Sequence, residues 1–321
     1  MWGENSSRRV FLAGMLAMGC LSSPAGAQTA DIPSDVTARI SALDRTLDPS
    51  VVSATKDIYR PLQPKPPFPH VRVHRNLSYG PDPLNRLDVF VPEPLPDSAR
   101  PVLLFVHGGG YVGGDKSEPA GTFYDNVGRW AAKNGMIGVN IDYRLAPQAS
   151  WPAAIEDIGQ AVAWAIQNVA PFGGDPERIF LMGHSSGATH VADYISHSEL
   201  QPPFGAGISA AILVSGVYDL TAHPLSENEK RYFGTDAALY AERSSMPEIA
   251  QSRIPLLVAA AQIDIPRMLQ QAETLNKAAC AEKNCPRFLI LPKHNHISAI
   301  CSINTADKSL TNAILGFIKA H

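Results

Sequence analysis

The sequence predicts a single α/β domain: a mostly parallel central sheet flanked by helices, with a small cap. Three observations carry this expectation. The run Val102-Leu103-Leu104-Phe105-Val106 is continuously apolar, as a buried central strand requires. Strand-like and helix-like segments then alternate to the end of the chain, the pattern of a parallel sheet covered on both faces. Two of the strands run directly into glycine-rich turns, at 108–110 and 183–187.

Residues 1–27 stand apart from this fold. Ser6-Ser7-Arg8-Arg9-Val10-Phe11-Leu12 leads into a short apolar run that ends at Ala25-Gly26-Ala27, the make-up of a secretory signal. The paired arginines before Val-Phe-Leu resemble a twin-arginine signal, so the mature domain is expected at 28–321, periplasmic or secreted. The apolar run is shorter than the ~20 residues a bilayer span needs, which argues against a retained anchor. The residues before Cys20 fit a lipoprotein site poorly. No later segment has ~18 consecutive apolar residues, so no stable membrane span is expected after signal removal.

Residues 31–60 are helical and partly amphipathic, then Pro61 to Pro67 breaks the pattern; this is read as an N-terminal lid or packing segment. Segments 71–73 and 86–91 alternate like antiparallel strands. Further strands are expected near 136–141, 178–182, 210–214, 255–260 and 287–291. Helices are expected over 121–134, 153–169, 187–198, 267–280 and 304–319. The polar stretch 219–253, with Pro224 and Pro247, interrupts the rhythm and reads as a cap-like insertion over the carboxyl edge of the sheet, where such folds bind ligands.

At 321 residues and 45% hydrophobic, the chain can bury a large core. A net charge of −3 and the lack of a basic cluster argue against a nucleic-acid partner. Cys280 and Cys285 enclose only four residues; an oxidising compartment permits a disulfide there, but spacing alone does not establish one. The cysteine spacing is not that of a zinc site, and neither metal nor organic cofactor is expected.

The strongest local signal is Gly183-His184-Ser185-Ser186-Gly187, between a strand and a helical run. A sharp strand-to-helix turn lifts a strained serine above a sheet, and small residues two before and two after it relieve the crowding. Ser185 is therefore the candidate nucleophile. Ser186 lacks the flanking glycine symmetry, and its N–H is better placed to receive an oxyanion.

His107-Gly108-Gly109-Gly110-Tyr111 follows the central strand. Acyl transfer passes through a tetrahedral oxyanion, and main-chain N–H groups already aimed at it stabilise that state. The donors are assigned to Gly109, Gly110 and Ser186, with Gly108 an alternative to Gly110. No Gly-Lys-Ser/Thr follows, so a phosphate cradle is not indicated. His107 is expected to hold this loop by hydrogen bonds.

The base should follow a late strand, and His296 is preferred over its neighbour His294. The acid should follow the strand before. Asp264 stands in that turn about 30 residues ahead of the base, with Asp219 as a rival. Tyr111 and Tyr218 are expected from their positions to shape the substrate pockets.

Together these residues resemble the esterase and lipase branch of the α/β-hydrolase fold, which includes hormone-sensitive-lipase-like enzymes and bacterial carboxylesterases. The resemblance extends to Gly113-Gly114-Asp115-Lys116, Asp142-Tyr143-Arg144-Leu145-Ala146-Pro147, Trp151 to Asp157 and Gly173 to Arg178, and covers roughly 85–320. It implies a serine carboxylesterase acting on small-molecule esters of short to medium acyl chains, with Asp142 and Arg144 bracing loops beneath the site. Relatives of this kind often pair as homodimers through an edge strand and the last helix. The His-Gly-Gly-x-Tyr segment and the histidine loop are also similar to kynurenine-formamidase-like hydrolases, which implies an arylformamidase as the alternative activity.

Overall fold

The computed structural model describes residues 33–95, 97–118 and 121–321; the export signal expected over 1–27 lies outside the described residues. In chain order the strands are β1 (Val71–Ser78), β2 (Arg86–Pro92), β3 (Arg100–Val106), β4 (Ile137–Ile141), β5 (Gly174–His184), β6 (Ala210–Val214), β7 (Leu256–Ile263) and β8 (Arg287–Asn295). They form one sheet in the order β1-β2-β4-β3-β5-β6-β7-β8. β1–β2 and β2–β4 pair antiparallel, and every pair from β4 to β8 is parallel.

The sheet divides two cores. Along β3, Val102, Leu104 and Val106 face one of them and Leu103 and Phe105 the other, which is why the run carries no polar position. The first helices in the chain are α1 (Ser34–Ser41), α2 (Pro49–Tyr59), α3 (Asp125–Lys133), α4 (Ala153–Asn168) and α5 (Ser186–Ser196). They are followed by α6 (Glu227–Phe233), α7 (Glu248–Gln251), α8 (Pro266–Ala281), α9 (Ser298–Cys301) and α10 (Thr311–Ala320). Residues of α4, α5 and α8 fill one core; residues of α1, α2, α3 and α10 fill the other. No described helix is long and apolar enough to cross a membrane.

Two expected helices are shorter than their patterns, for local reasons. The segment over 121–134 starts at Asp125, because Gly121 takes φ +60°. The segment over 304–319 starts at Thr311, because Asn304 turns left-handed at φ +69° and the Asp307 carboxylate ties back the Ser309 amide at 2.9 Å. The segment 219–253 folds as α6, α7 and connecting turns. A capping box at Ser226 starts α6, and Tyr232 and Phe233 anchor it in the core. Cys280 and Cys285 are joined by a disulfide at the end of α8.

Candidate active site

The turn at Ser185 is built by crowding. β5 ends at His184, α5 begins at Ser186, and Ser185 between them is held at φ +56°, ψ −126°. A Cβ on Gly183 would lie 2.3 Å from the Gly187 carbonyl oxygen, and one on Gly187 would lie 2.3 Å from that of Val106. Only glycine fits at either place, so the chain reverses tightly enough to push Ser185 outward. The Ser185 amide donates to Val214 O at 2.9 Å, which ties the turn to β6.

β8 delivers His296 immediately beyond its last residue, and β7 delivers Asp264 just past its end. His296 Nδ1 lies 2.8 Å from Asp264 Oδ1. The Ser215 hydroxyl donates to Asp264 Oδ2 at 2.5 Å, and the Ile265 amide donates to Oδ1 at 2.8 Å. Burial pushes the Asp264 carboxyl up, but His296 and these donors outweigh it, and the net shift is downward. A carboxylate in that state fixes the ring with Nδ1 protonated and Nε2 as the free lone pair. His296 Nε2 is buried and has no hydrogen-bond partner among the described residues.

Ser185 and His296 line one cleft of 660 Å³, together with Gly108, Gly109 and Gly110. Gly109 and Gly110 take φ +153° and +60°, and Ser186 opens α5. The remaining walls come from distant elements: Val52 and Lys56 of α2, Glu118, Tyr124, Asn228 of α6 and Ile300 of α9. Lys56 Nζ pairs with Glu118 at 2.5 Å across this wall.

His184 precedes Ser185 and packs against His296. Its ring is 5.0 Å from that of His296, and its Nε2 is 3.0 Å from the His296 carbonyl, to which it donates. Burial first, and the neighbouring His296 second, lower its pKa to about 3. His107 faces Gly108 O through Nδ1 at 2.8 Å, while the Tyr143 hydroxyl donates to His107 O at 2.8 Å. Lys116 donates to Asp142 through Nζ at 2.9 Å and through its amide at 2.6 Å, and Arg144 clasps Asp157. The loop under the glycines is thus braced from below.

Among the remaining candidates, His294 faces away from the cleft, and Asp219 binds the amide and hydroxyl of Thr221 within its own turn. Tyr111 and Tyr218 correct the expectation that they shape the substrate pockets, because neither side chain lines the cleft. Tyr111 stacks on Tyr232 and donates to Thr189 Oγ1 at 3.2 Å; the Tyr218 hydroxyl accepts from the Gly216 amide at 3.3 Å. Sequence reasoning missed Ser215, whose only signal was its place right after an apolar strand. It also missed Arg45, which donates to the Asp264 carbonyl at 2.8 Å from 219 residues away, with no local pattern to mark it.

A strained serine turn, a His–Asp pair and a glycine loop converging at the carboxyl edge of a mostly parallel sheet define an α/β-hydrolase of the esterase and lipase branch. The solved structure of esterase B from Lactobacillus rhamnosus is similar at a TM-score of 0.69 and 19% identity, covering 89% of this chain and 95% of that one. The BD-FAE family model matches residues 87–278, and the chain belongs to the BD-FAE family. Esterase LipC of Mycobacterium tuberculosis is 28% identical over 245 residues, 70% of this chain and 60% of the relative. A probable isoprenylcysteine alpha-carbonyl methylesterase of rice (Oryza sativa subsp. japonica) is 38% identical over 130 residues, 40% of this chain and 29% of the relative. The chain therefore aligns with less than two thirds of these two curated relatives.

Proposed function

We propose that the chain is a serine carboxylesterase that hydrolyses small-molecule esters of short to medium acyl chains through a covalent acyl-enzyme. The observation that carries this reading is the unpartnered, buried His296 Nε2 in the same cleft as Ser185, with its ring fixed from behind by Asp264. His296 Nε2 takes the Ser185 hydroxyl proton as Ser185 Oγ bonds to the ester carbonyl carbon. The oxyanion is received by the amides of Gly109, Gly110 and Ser186. His296 returns the proton to the departing alkoxide as the carbon–oxygen bond breaks. Water then attacks the acyl-enzyme by the same route, which frees the acid and restores Ser185. A cleft of 660 Å³ is in keeping with a substrate of modest size.

The deciding experiment is hydrolysis of p-nitrophenyl acetate, butyrate and decanoate by residues 28–321, beside Ser185→Ala. Turnover of the two shorter esters, abolished in the variant, is expected. A folded wild type inert to all three esters would remove the reading and send the search to aryl formamides. Activity that survives Ser185→Ala would displace the nucleophile.

We also propose that the chain is exported by the twin-arginine route. The Cys280–Cys285 disulfide supports an oxidising destination, and the paired Arg8 and Arg9 before Val-Phe-Leu support the route. Replacing Arg8 and Arg9 by lysine should leave the protein in the cytoplasmic fraction; unchanged periplasmic recovery would refute the proposal.

A further inference from the structure

The structure holds a second histidine–aspartate pair two residues from the first. His294 and Asp307 are buried, and His294 Nε2 lies 2.9 Å from Asp307 Oδ2. Nδ1 of the same ring lies 3.0 Å from the Ser298 hydroxyl. That hydroxyl accepts the Asn295 amide at 2.9 Å, and the Asn295 side chain in turn accepts the Ser298 amide at 2.8 Å. Asn295 Nδ2 donates to Thr55 Oγ1 of α2, and the Tyr59 ring stacks on His294 at 6.4 Å. Asp307 is held in place by the Ser309 amide and hydroxyl at 2.9 and 2.7 Å.

His294 Nε2 also lies 3.2 Å from the Ser309 hydroxyl, and the Ser298 hydroxyl lies 3.2 Å from the Asn295 carbonyl, to which it can donate. A proton on Nε2 suits the 2.9 Å approach to the Asp307 carboxylate as an ion-pair contact, with the Ser309 hydroxyl beside it and Nδ1 facing the Ser298 hydroxyl. His296 uses the opposite nitrogen toward its own aspartate. The two rings therefore point to opposite sides of one short turn, each anchored by a buried carboxylate. Burial pushes the Asp307 carboxyl up, but His294 and the Ser309 donors prevail and bring it below its ordinary range. Nothing in the proposed chemistry uses this second pair, yet the turn that presents His296 is fastened through it to α2 and to the segment before α10.

We infer that His294 and Asp307 are positioning residues, a structural dyad that fixes the loop carrying the base at the distance Ser185 needs. The inference rests on the assignment of His296 as the base. A loop displaced by about 1 Å at a reacting group can cost on the order of a hundredfold in rate. Neither His294 nor Asp307 lines the cleft, so the loss should fall on kcat and not on KM.

The test measures kcat and KM on p-nitrophenyl butyrate for wild type, His294→Ala, Asp307→Ala, the double variant and His294→Gln. Each alanine variant should lose about ten- to a hundredfold in kcat with KM within about twofold. The double variant should lose no more than either single one, because the pair acts as a unit. Glutamine, which can donate to Asp307 and accept from Ser298, should restore most of kcat. Additive losses, a loss confined to KM, or no rescue by glutamine would overturn the inference.

If the alanine variants do not fold, proton NMR of histidine-labelled wild type supplies the second readout. Besides the Nε2–H of His184, a second slowly exchanging Nε2–H signal is expected that disappears in His294→Gln; absence of such a signal would overturn the pairing. Failure of the esterase reading shows separately, as a wild type without Ser185-dependent turnover.

Discussion

Replacing Gly109 with alanine should nearly abolish turnover while leaving the protein folded. The new Cβ would sit 1.8 Å from Gly113 O and 2.4 Å from its carbonyl carbon, both main-chain atoms that no rotamer change can move aside. The two arms of the loop must part by more than about 1 Å to relieve that contact. Alanine at φ +153° adds roughly 1–3 kcal/mol of backbone strain. On the proposed mechanism the Gly109 amide would then be lost as an oxyanion donor, and losing one such donor costs about 3 kcal/mol, roughly a hundredfold in kcat. Gly110→Ala is the internal contrast. Its Cβ would meet only Asn228 Nδ2 at 3.3 Å, and φ +60° is a left-handed conformation that costs a non-glycine residue about 1–2 kcal/mol. That variant should lose stability of this order and keep kcat within about tenfold. Steady-state kinetics on p-nitrophenyl butyrate, with a thermal melt of each protein, separates the two. Wild-type kcat in Gly109→Ala, or an equal collapse in Gly110→Ala, would refute the argument.

Three further outcomes are expected. Burial lifts the Asp193 carboxyl to about 7, so the folded chain holds a proton that the unfolded chain has released between about pH 4 and 7, and stability falls as pH rises through that window. Asp193→Asn keeps the acceptor for the Ser245 hydroxyl and should stabilise by roughly 2–4 kcal/mol at pH 8 but little at pH 4, read by urea unfolding at both; equal effects at the two values would contradict the assignment. Lys116→Met leaves the buried Asp142 without its cation and should cost about 3–5 kcal/mol, measured by the same method, whereas a cost below 1 kcal/mol would mean that the pair is solvated. Tyr111→Phe should leave KM unchanged and cost about 1 kcal/mol of stability for the lost bond to Thr189, and a large rise in KM would return Tyr111 to the substrate pocket.

Most of the strand and helix pattern was legible in the sequence because burial on both faces leaves strands such as Val102–Val106 with no polar position. The turn at Ser185 was legible because glycine is the only residue that tolerates contacts of 2.3 Å on either side of it. The choice of His296 over His294 rested on position, since the two are separated by one residue and differ only in the side of the turn they face. What position cannot supply is side-chain direction. Tyr111 and Tyr218 follow strand ends where pockets form, yet both turn inward to pack. The cleft walls were illegible for another reason. Lys56 meets Glu118, and Arg45 meets Asp264, across separations that no local period encodes.

His184 sets the electrical quiet around His296. On the proposed mechanism His296 becomes a cation in each half-reaction. A second charged imidazole with its ring 5.0 Å away would oppose that step by about 3 kcal/mol at an effective dielectric near 20. Such repulsion would forfeit about two orders of magnitude in rate or move the working range toward alkali. By remaining uncharged, His184 lets its ring act as mechanical support without an electrostatic toll. The position directly before Ser185 is therefore open to a rigid neutral donor and closed to lysine or arginine. A variant library at 184 should sort by charge before it sorts by size.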